Sequence, residues 1–338
     1  MLPNARSFYS GRSVLVTGST GFVGKVLVEK LLSSLLDINN VFILVRSSKG
    51  ISPEQRWLKT TQNILFDRIR KKCPGQLKKV VVVNGDISID DLGLSDSDQH
   101  MICQEVSVVF HCAATVRFAE PLKEAVNLNV RGVRRVLELC RKMEKLQCLL
   151  HCSTTFVQSG LDVLEEKLYP APCDLQGLLL TLDWLPRNCV DRVTKTLLDG
   201  RPNTYVFAKA LGEALIEKES GGLPVVILRP SIITSMYREH LPGWTDHTNG
   251  PIAAALAVGK GVLVDALCNA DDSIDVVPVD FVVNMIIIAA IYRSTQWKLL
   301  GASLISTAFF LLFLIPCGKT SKMKDIQQYR EEQRRAME

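Results

Sequence analysis

Residues 14–32, VLVTGSTGFVGKVLVEKLL, decide how this chain folds. Val14 to Thr17 is a short β-branched run, Gly18 to Gly24 a glycine cluster, and the residues beyond repeat apolar positions at helical spacing. A strand that passes through a glycine turn into a helix opens a βαβ unit. In the spacing Gly18-x-x-Gly21-x-x-Gly24 the first glycine permits a tight turn, and the second lets backbone approach a ligand. The third lets the helix pack close to the sheet. Free N–H groups and the dipole at the helix N-terminus favour an anion such as a diphosphate. No Gly-Lys-Ser/Thr opens the helix, which excludes the phosphate loop of nucleotide-hydrolysing proteins. The sequence therefore predicts a dinucleotide cradle built from Thr17, Gly18, Ser19, Thr20, Gly21, Phe22, Val23 and Gly24.

Outward from that cradle the same rhythm continues. VFILV, KKVVVVN, VSVVFH, LQCLLHC and PVVIL read as buried strands, and PLKEAVNLNVRGVRRVLELCRK and TYVFAKALGEALIEKE read as helices between them. The alternation predicts an α/β fold with a doubly wound, Rossmann-like parallel sheet. Past residue 230 it loosens into SIITSMYREHLPGWTDHTNGP, rich in Pro, Gly and aromatic residues, as suits substrate loops. IAAALAVGKG then reads as a helix, and the segment from Asp271 as a short strand followed by another helix. Residues 8–293 are thus expected to form one dinucleotide-binding domain, with a small substrate lobe at about 230–293.

The end of the second strand selects the dinucleotide. An acidic residue there would bond the ribose hydroxyls of NAD, whereas this chain has Arg46, whose guanidinium can grip a 2′-phosphate. NADP(H) is the expected cofactor, the alternative for Arg46 being a solvated strand-end residue. Asp86, at the end of the third strand, is placed to meet the adenine edge, and Ala113 and Ala114 are small enough to let the cofactor lie close.

Tyr205 and Lys209 stand at i and i+4 on one helical face. A neighbouring ammonium favours the ionised phenol and so eases proton donation. Ser153 and Thr154 end the preceding strand, where a hydroxyl can hold a carbonyl oxygen beside that phenol. Such a set polarises and protonates a carbonyl as hydride arrives from nicotinamide, and Lys209 can also bind the nicotinamide ribose.

The composition is compatible with this reading. The chain has 338 residues, 47% of them hydrophobic, and 40 Lys and Arg against 35 Asp and Glu, with no basic stripe interleaved with aromatics that would call for nucleic acid. Its ten cysteines are scattered and no secretory signal opens the chain, which suggests reduced thiols in a cytosol-facing domain. Cys148, His151 and Cys152, with Cys140 upstream, lack a second ligand pair at zinc-like spacing, so buried packing is the expectation and no metal is assigned. Residues 299–318, LLGASLISTAFFLLFLIPCG, carry no charge and would as a helix just cross the ~30 Å apolar layer of a bilayer. A membrane helix is expected there, the alternative being a buried or oligomer-covering helix; residues 319–338 form a polar tail.

These residues make the chain recognisable. It resembles the extended short-chain dehydrogenase/reductases and, within them, the alcohol-forming fatty acyl-CoA reductases related to the plant male-sterility proteins. The more specific stretches are AATVRFAEPLKEAVNLNV and PGWTDHTNGP, supported by HCSTTF, VVILRPSII and VPVDFVVN. The resemblance implies Tyr205 as the catalytic tyrosine, Lys209 as its lysine and Thr154 as the hydroxyl that orients the carbonyl. It also implies Asn129 as an asparagine near the site and Pro230 within the cofactor set. It implies NADPH and a long-chain fatty acyl-CoA as ligands, with two hydride transfers giving fatty alcohol and CoA. The alternatives are reduction of another carbonyl (an aldehyde, a sterol or a nucleotide-sugar), or an impaired membrane-anchored NADP-binding protein. The resemblance stops near Tyr292, so the family's C-terminal sterile domain is not expected within these residues. Family habit and the apolar tail imply membrane association with the catalytic domain facing the cytosol. A final Ala336-Met337-Glu338, unlike a Ser-Lys-Leu signal, favours the endoplasmic reticulum over peroxisomes.

Overall fold

In the computed structural model, which describes residues 4–161, 163–265, 274–300 and 306–307, the apolar runs pair side by side. β1 (Ser13–Thr17), β2 (Val41–Val45), β3 (Val80–Asn84), β4 (Val106–His111), β5 (Cys148–Cys152) and β6 (Val225–Leu228) lie in the order β3-β2-β1-β4-β5-β6. Every neighbouring pair is parallel. β1, β2, β4 and β6 are buried at each position, which is why they read as unbroken apolar runs and not as alternating ones.

The two-residue period of the strands divides the core. Val14 and Val16 of β1, Phe110 of β4 and Leu150 of β5 pack with α1 (Phe22–Ser34) and with α4 (Val279–Leu300). Leu15, Val109 and Leu149 point the other way, into the core shared with α2 (122–141) and α3 (Thr204–Glu219). Helices on both faces make the sheet doubly wound, as the sequence predicts. Since β2 and β4 flank β1 on opposite sides, the strand order reverses there, and a crevice opens beyond the carboxyl ends of β1 and β4.

α2 departs from the uninterrupted helix that the sequence suggests. Leu122–Val126 and Gly132–Arg141 are joined by a π-helical turn, Asn127–Arg131. α3 presses on this turn at Gly212, where a Cβ would stand 2.7 Å from the Asn129 carbonyl oxygen. The wider turn and the missing side chain belong to the same close contact.

Past residue 230, β7 (Ile232–Thr234) pairs in parallel with β8 (Val276–Pro278), and Pro251–Gly259 forms the expected helix. Asp280 in the first turn of α4 accepts hydrogen bonds from the backbone N–H groups of Tyr237, Arg238 and Glu239, at 3.0, 3.0 and 3.2 Å, and so ties this region to the sheet domain. A short strand, β9 (Ser306–Thr307), runs beside β6. Apart from β9, the chain after Leu300 lies outside the described residues, and with it most of the apolar stretch 299–318 and the tail 319–338. Among the described residues no helix is long and apolar enough to cross a membrane.

Candidate active site

Gly18 leaves β1 with φ of +74°, a region that disfavours any side chain. A Cβ there would also lie 2.8 Å from the Ala113 nitrogen and 2.9 Å from the carbonyl carbon of Cys112, so the turn is pressed against the end of β4. At Gly24 a Cβ would stand 2.2 Å from the Gly18 carbonyl oxygen, and its absence seats α1 directly on the turn. Gly21 precedes α1 with no side-chain cap, and the hydroxyl of Ser19 is buried with no hydrogen-bond partner. A turn that excludes methyl groups, an open helix N-terminus and an orphaned hydroxyl fit a bound diphosphate. Thr17 serves the floor: its Oγ1 accepts from the Ala113 N–H at 3.2 Å and bonds His111 Nδ1 at 2.8 Å. Phe22 and Val23 can contribute backbone only. The Phe22 ring stacks on Trp244 at 5.8 Å and meets His247 edge-on at 4.3 Å, while Val23 packs into the core.

Beside the turn, at the end of the neighbouring strand β2, Arg46 has its side chain 59% exposed, 3.4 Å from Asp86. Burial raises the Asp86 carboxyl, but hydrogen bonds from the Ser88 N–H and hydroxyl, together with Arg46, outweigh it and hold the group below its usual range. Asp86 is thus tied to Ser88 and Arg46. A second guanidinium, invisible to the local pattern, arrives from the helix Pro53–Thr61. Arg56 donates to the Arg46 carbonyl and, at 3.3 Å, to Thr20 Oγ1. Burial, then repulsion by Arg46, lowers its pKa. Two cations therefore converge beside the glycine turn.

Asn203 caps α3 by accepting from the Val206 N–H at 2.9 Å, and the first two turns of that helix carry Tyr205 and Lys209. The phenol is partly buried, and the neighbouring Thr154 side chain favours its ionised form. Of the two hydroxyls at the end of β5, it is Thr154 that meets the tyrosine; Ser153 Oγ is buried without a partner, and its N–H bonds the Leu228 carbonyl at 2.7 Å. Lys209 is 3% exposed and donates to the Cys152 carbonyl at 2.7 Å. This changes the expected electrostatics. The ammonium is turned to a strand carbonyl, and the phenol's pKa is raised, by burial first and then by the Cys152 sulfur, with Thr154 opposing. Burial lowers the Lys209 pKa. The phenol is accordingly a neutral donor that keeps its proton until an acceptor becomes basic.

Asn129 is close to this set but fully engaged. Its Oδ1 accepts from the Thr115 N–H at 2.9 Å and its Nδ2 donates to the Thr115 carbonyl at 3.0 Å, which fixes the loop after Ala113 and Ala114. It positions that loop. Pro230 likewise acts through its carbonyl, which accepts from the Thr155 N–H at 3.0 Å. Behind these residues lie two features that the sequence did not reveal. Arg229 and Glu213 form a buried ion pair. His111 and His151 lie with ring centroids 5.3 Å apart, and burial drives His111 down to about 3, so it stays neutral. On β5 the two-residue alternation sends Cys148 and Cys152 to one face and His151 to the other. Among the described residues no His, Cys, Asp or Glu cluster is arranged to hold a metal.

Fold and site together define a dinucleotide-binding domain of the short-chain dehydrogenase/reductase type. The chain belongs to the Male sterility protein NAD-binding family, whose profile matches residues 16–286. It is 40% identical over 289 residues to fatty acyl-CoA reductase 1 of Homo sapiens, covering 86% of this chain and 56% of that protein. It is 38% identical over 290 residues to fatty acyl-CoA reductase 2 of Mus musculus, at the same coverage. The chain therefore spans a little over half the length of these relatives. Among solved structures it superposes on the terminal R domain of the myxalamid PKS-NRPS pathway with a TM-score of 0.58 and 25% identity, over 82% of this chain and 62% of that one. The UDP-glucuronic acid 4-epimerase of Bacillus cereus shares the fold, with a TM-score of 0.53 at 19% identity over 82% and 72% of the two chains.

Proposed function

We propose that this chain is an alcohol-forming reductase of long-chain fatty acyl-CoA that uses NADPH. The observation that carries the chemistry is the convergence of Tyr205, Thr154 and Lys209 at the carboxyl end of β5, one strand from the glycine cradle. The names of its relatives, fatty acyl-CoA reductases 1 and 2, support the substrate class. Arg56, bonded to Thr20, and Arg46, paired with Asp86 and near enough to repel Arg56, support NADPH over NADH, because a 2′-phosphate answers paired cations that a ribose hydroxyl does not need.

When bound, the nicotinamide supplies hydride. The chain's part is to hold the carbonyl oxygen between the Thr154 hydroxyl and the Tyr205 phenol and to deliver a proton as charge grows on that oxygen. In the first reduction the thioester carbon becomes a hemithioacetal, which collapses to the aldehyde as CoA thiolate leaves. The aldehyde is then reduced with the Tyr205 proton, so each alcohol requires two equivalents of NADPH. Lys209, held on the Cys152 carbonyl one helical turn beyond Tyr205, is the residue that would turn to the nicotinamide ribose. Membrane association is supported by the uncharged sequence 299–318.

Detergent-solubilised protein supplied with NADPH and palmitoyl-CoA tests this reading. Hexadecanol and free CoA are expected, with two NADPH oxidised per alcohol. NADPH oxidation without hexadecanol, or none with any acyl-CoA, would overturn the substrate assignment.

A further inference from the structure

Cys112 and Cys152 form a pair that the reduction does not use. The register of β4 and β5 sets His111 beside His151, so Cys112, the first residue after β4, and Cys152, the last of β5, each follow that pair by one position and leave the sheet on the same face. Adjacent strands lie about 4.8 Å apart, within the ~4.4–6.8 Å between Cα atoms that a disulfide can bridge. Both cysteines are unbridged, and neither residue is fully buried. Their location links the two halves of the site. Cys112 backbone lies against Gly18, and the Cys152 carbonyl receives Lys209.

The geometry points to Cys112 and Cys152 as a redox modification site, closed to an intramolecular disulfide by a hydroperoxide and shielded by the bound dinucleotide. The shielding rests on the cofactor reading above; the disulfide does not. Cys152 is the attacking sulfur, because the Lys209 ammonium is held on its own carbonyl at 2.7 Å, and the neighbouring Cys112 and that charge favour its thiolate against the burial that opposes it. That thiolate attacks one oxygen of the hydroperoxide, the O–O bond breaks, and the other oxygen leaves and takes up a proton. The sulfenic acid left on Cys152 is attacked by the Cys112 sulfur. Its S–O bond breaks, the oxygen leaves as water with the Cys112 proton, and the S–S bond forms. Two thiols lose two electrons and the hydroperoxide gains them. The bridge ties the floor of the glycine turn to the strand end that holds Lys209, and weaker cofactor binding follows.

The test uses the whole chain, reduced, freed of reductant and exposed to hydrogen peroxide with and without saturating NADPH, then alkylated and digested for mass spectrometry. The expected result is a Cys112–Cys152 cross-linked peptide that dithiothreitol removes. NADPH should slow its formation at least tenfold, and the oxidised protein should bind NADPH at least tenfold more weakly. Cys112→Ala is expected to give no bridge and to leave Cys152 as a dimedone-reactive sulfenic acid. If other cysteines oxidise while no 112–152 bridge forms, the site is wrong. Equal rates with and without NADPH would overturn the shielding. A reduced protein that fails to bind NADPH in a separate fluorescence titration would sink the cofactor reading instead, and the cross-link map would still decide the site.

Discussion

Arg229 grips Glu213 through two parallel hydrogen bonds, Nε to Oε1 at 2.8 Å and Nη2 to Oε2 at 2.6 Å, where both side chains are almost wholly buried. Glu213 lies one turn beyond Lys209 on α3, and Arg229 follows β6, so the pair fastens the helix carrying the phenol to the sheet. Arg229→Met leaves a buried carboxylate without its arginine and is expected to destabilise the chain by about 3–5 kcal/mol. Replacing both residues by apolar side chains of similar volume should be far milder. Urea unfolding of the two variants checks this: equal losses would mean that the pair is not the fastening it is taken to be.

Tyr205→Phe removes the proton and keeps the ring that lies 5.9 Å from Phe118. Turnover of acyl-CoA is expected to fall ~10²–10⁴-fold, the usual weight of a positioned acid, with NADPH affinity unchanged. Thr154→Val should lose less, since it orients the oxygen without supplying the proton. Steady-state rates and a cofactor titration on the same preparations separate the effects, and a Tyr205→Phe enzyme as fast as the native one would remove the phenol from the mechanism.

Arg46→Ala and Arg56→Ala are each expected to weaken NADPH roughly ten- to a hundredfold, as loss of a charge-assisted hydrogen bond of ~1.5–3 kcal/mol implies. NADH affinity should hardly change. Calorimetric titration with both dinucleotides reads the result, and native protein that binds NADH as tightly as NADPH would sink the assignment.

Glu29 gives a pH signature away from the cleft. It is 1% exposed, accepts two 3.0 Å bonds from Arg68, and has His240 Nδ1 3.5 Å away. Burial raises its carboxyl to about 7 against the pull of Arg68 and Lys30. A carboxyl whose folded pKa exceeds its unfolded value near ~4.3 binds a proton more tightly when folded. Its contribution is full below that unfolded value and is lost as pH rises through about 7. Native stability minus that of Glu29→Gln, from urea titrations at pH 5 and pH 8, should therefore fall with pH, by on the order of 2–3 kcal/mol. A flat or rising difference would contradict it.

What could be read in advance follows from the range of the interactions. The β1 turn, the strand alternation, and Tyr205 and Lys209 at helical spacing are encoded within a few residues, so they stood out in the sequence. Arg56 did not, because it joins Arg46 only after the helix Pro53–Thr61 folds back over the glycine turn. The same holds for His111 with His151 and for Cys112 with Cys152, which meet through the β4–β5 register. Glu213 and Arg229 are separated by a full helix end and a strand. Asn129 was placed near the site, but its engagement with Thr115 depends on a π-helical turn that no apolar period announces. The Tyr205 pKa rises instead of falling for a similar reason: spacing sets Lys209 on the right face, and only the fold turns its ammonium to Cys152.

The stack of Phe22 on Trp244, with Lys25 paired to Asp246, makes the first turn of α1 and the 242–251 loop one mechanical corner. A dinucleotide settling on that turn and a second ligand gripping that loop would then draw on the same ordering. Whatever factor the first contributes to the affinity of the second, the second must return to the first. Dissociation constants measured singly and together would trace a closed square, whose unequal sides report how firmly that corner is held.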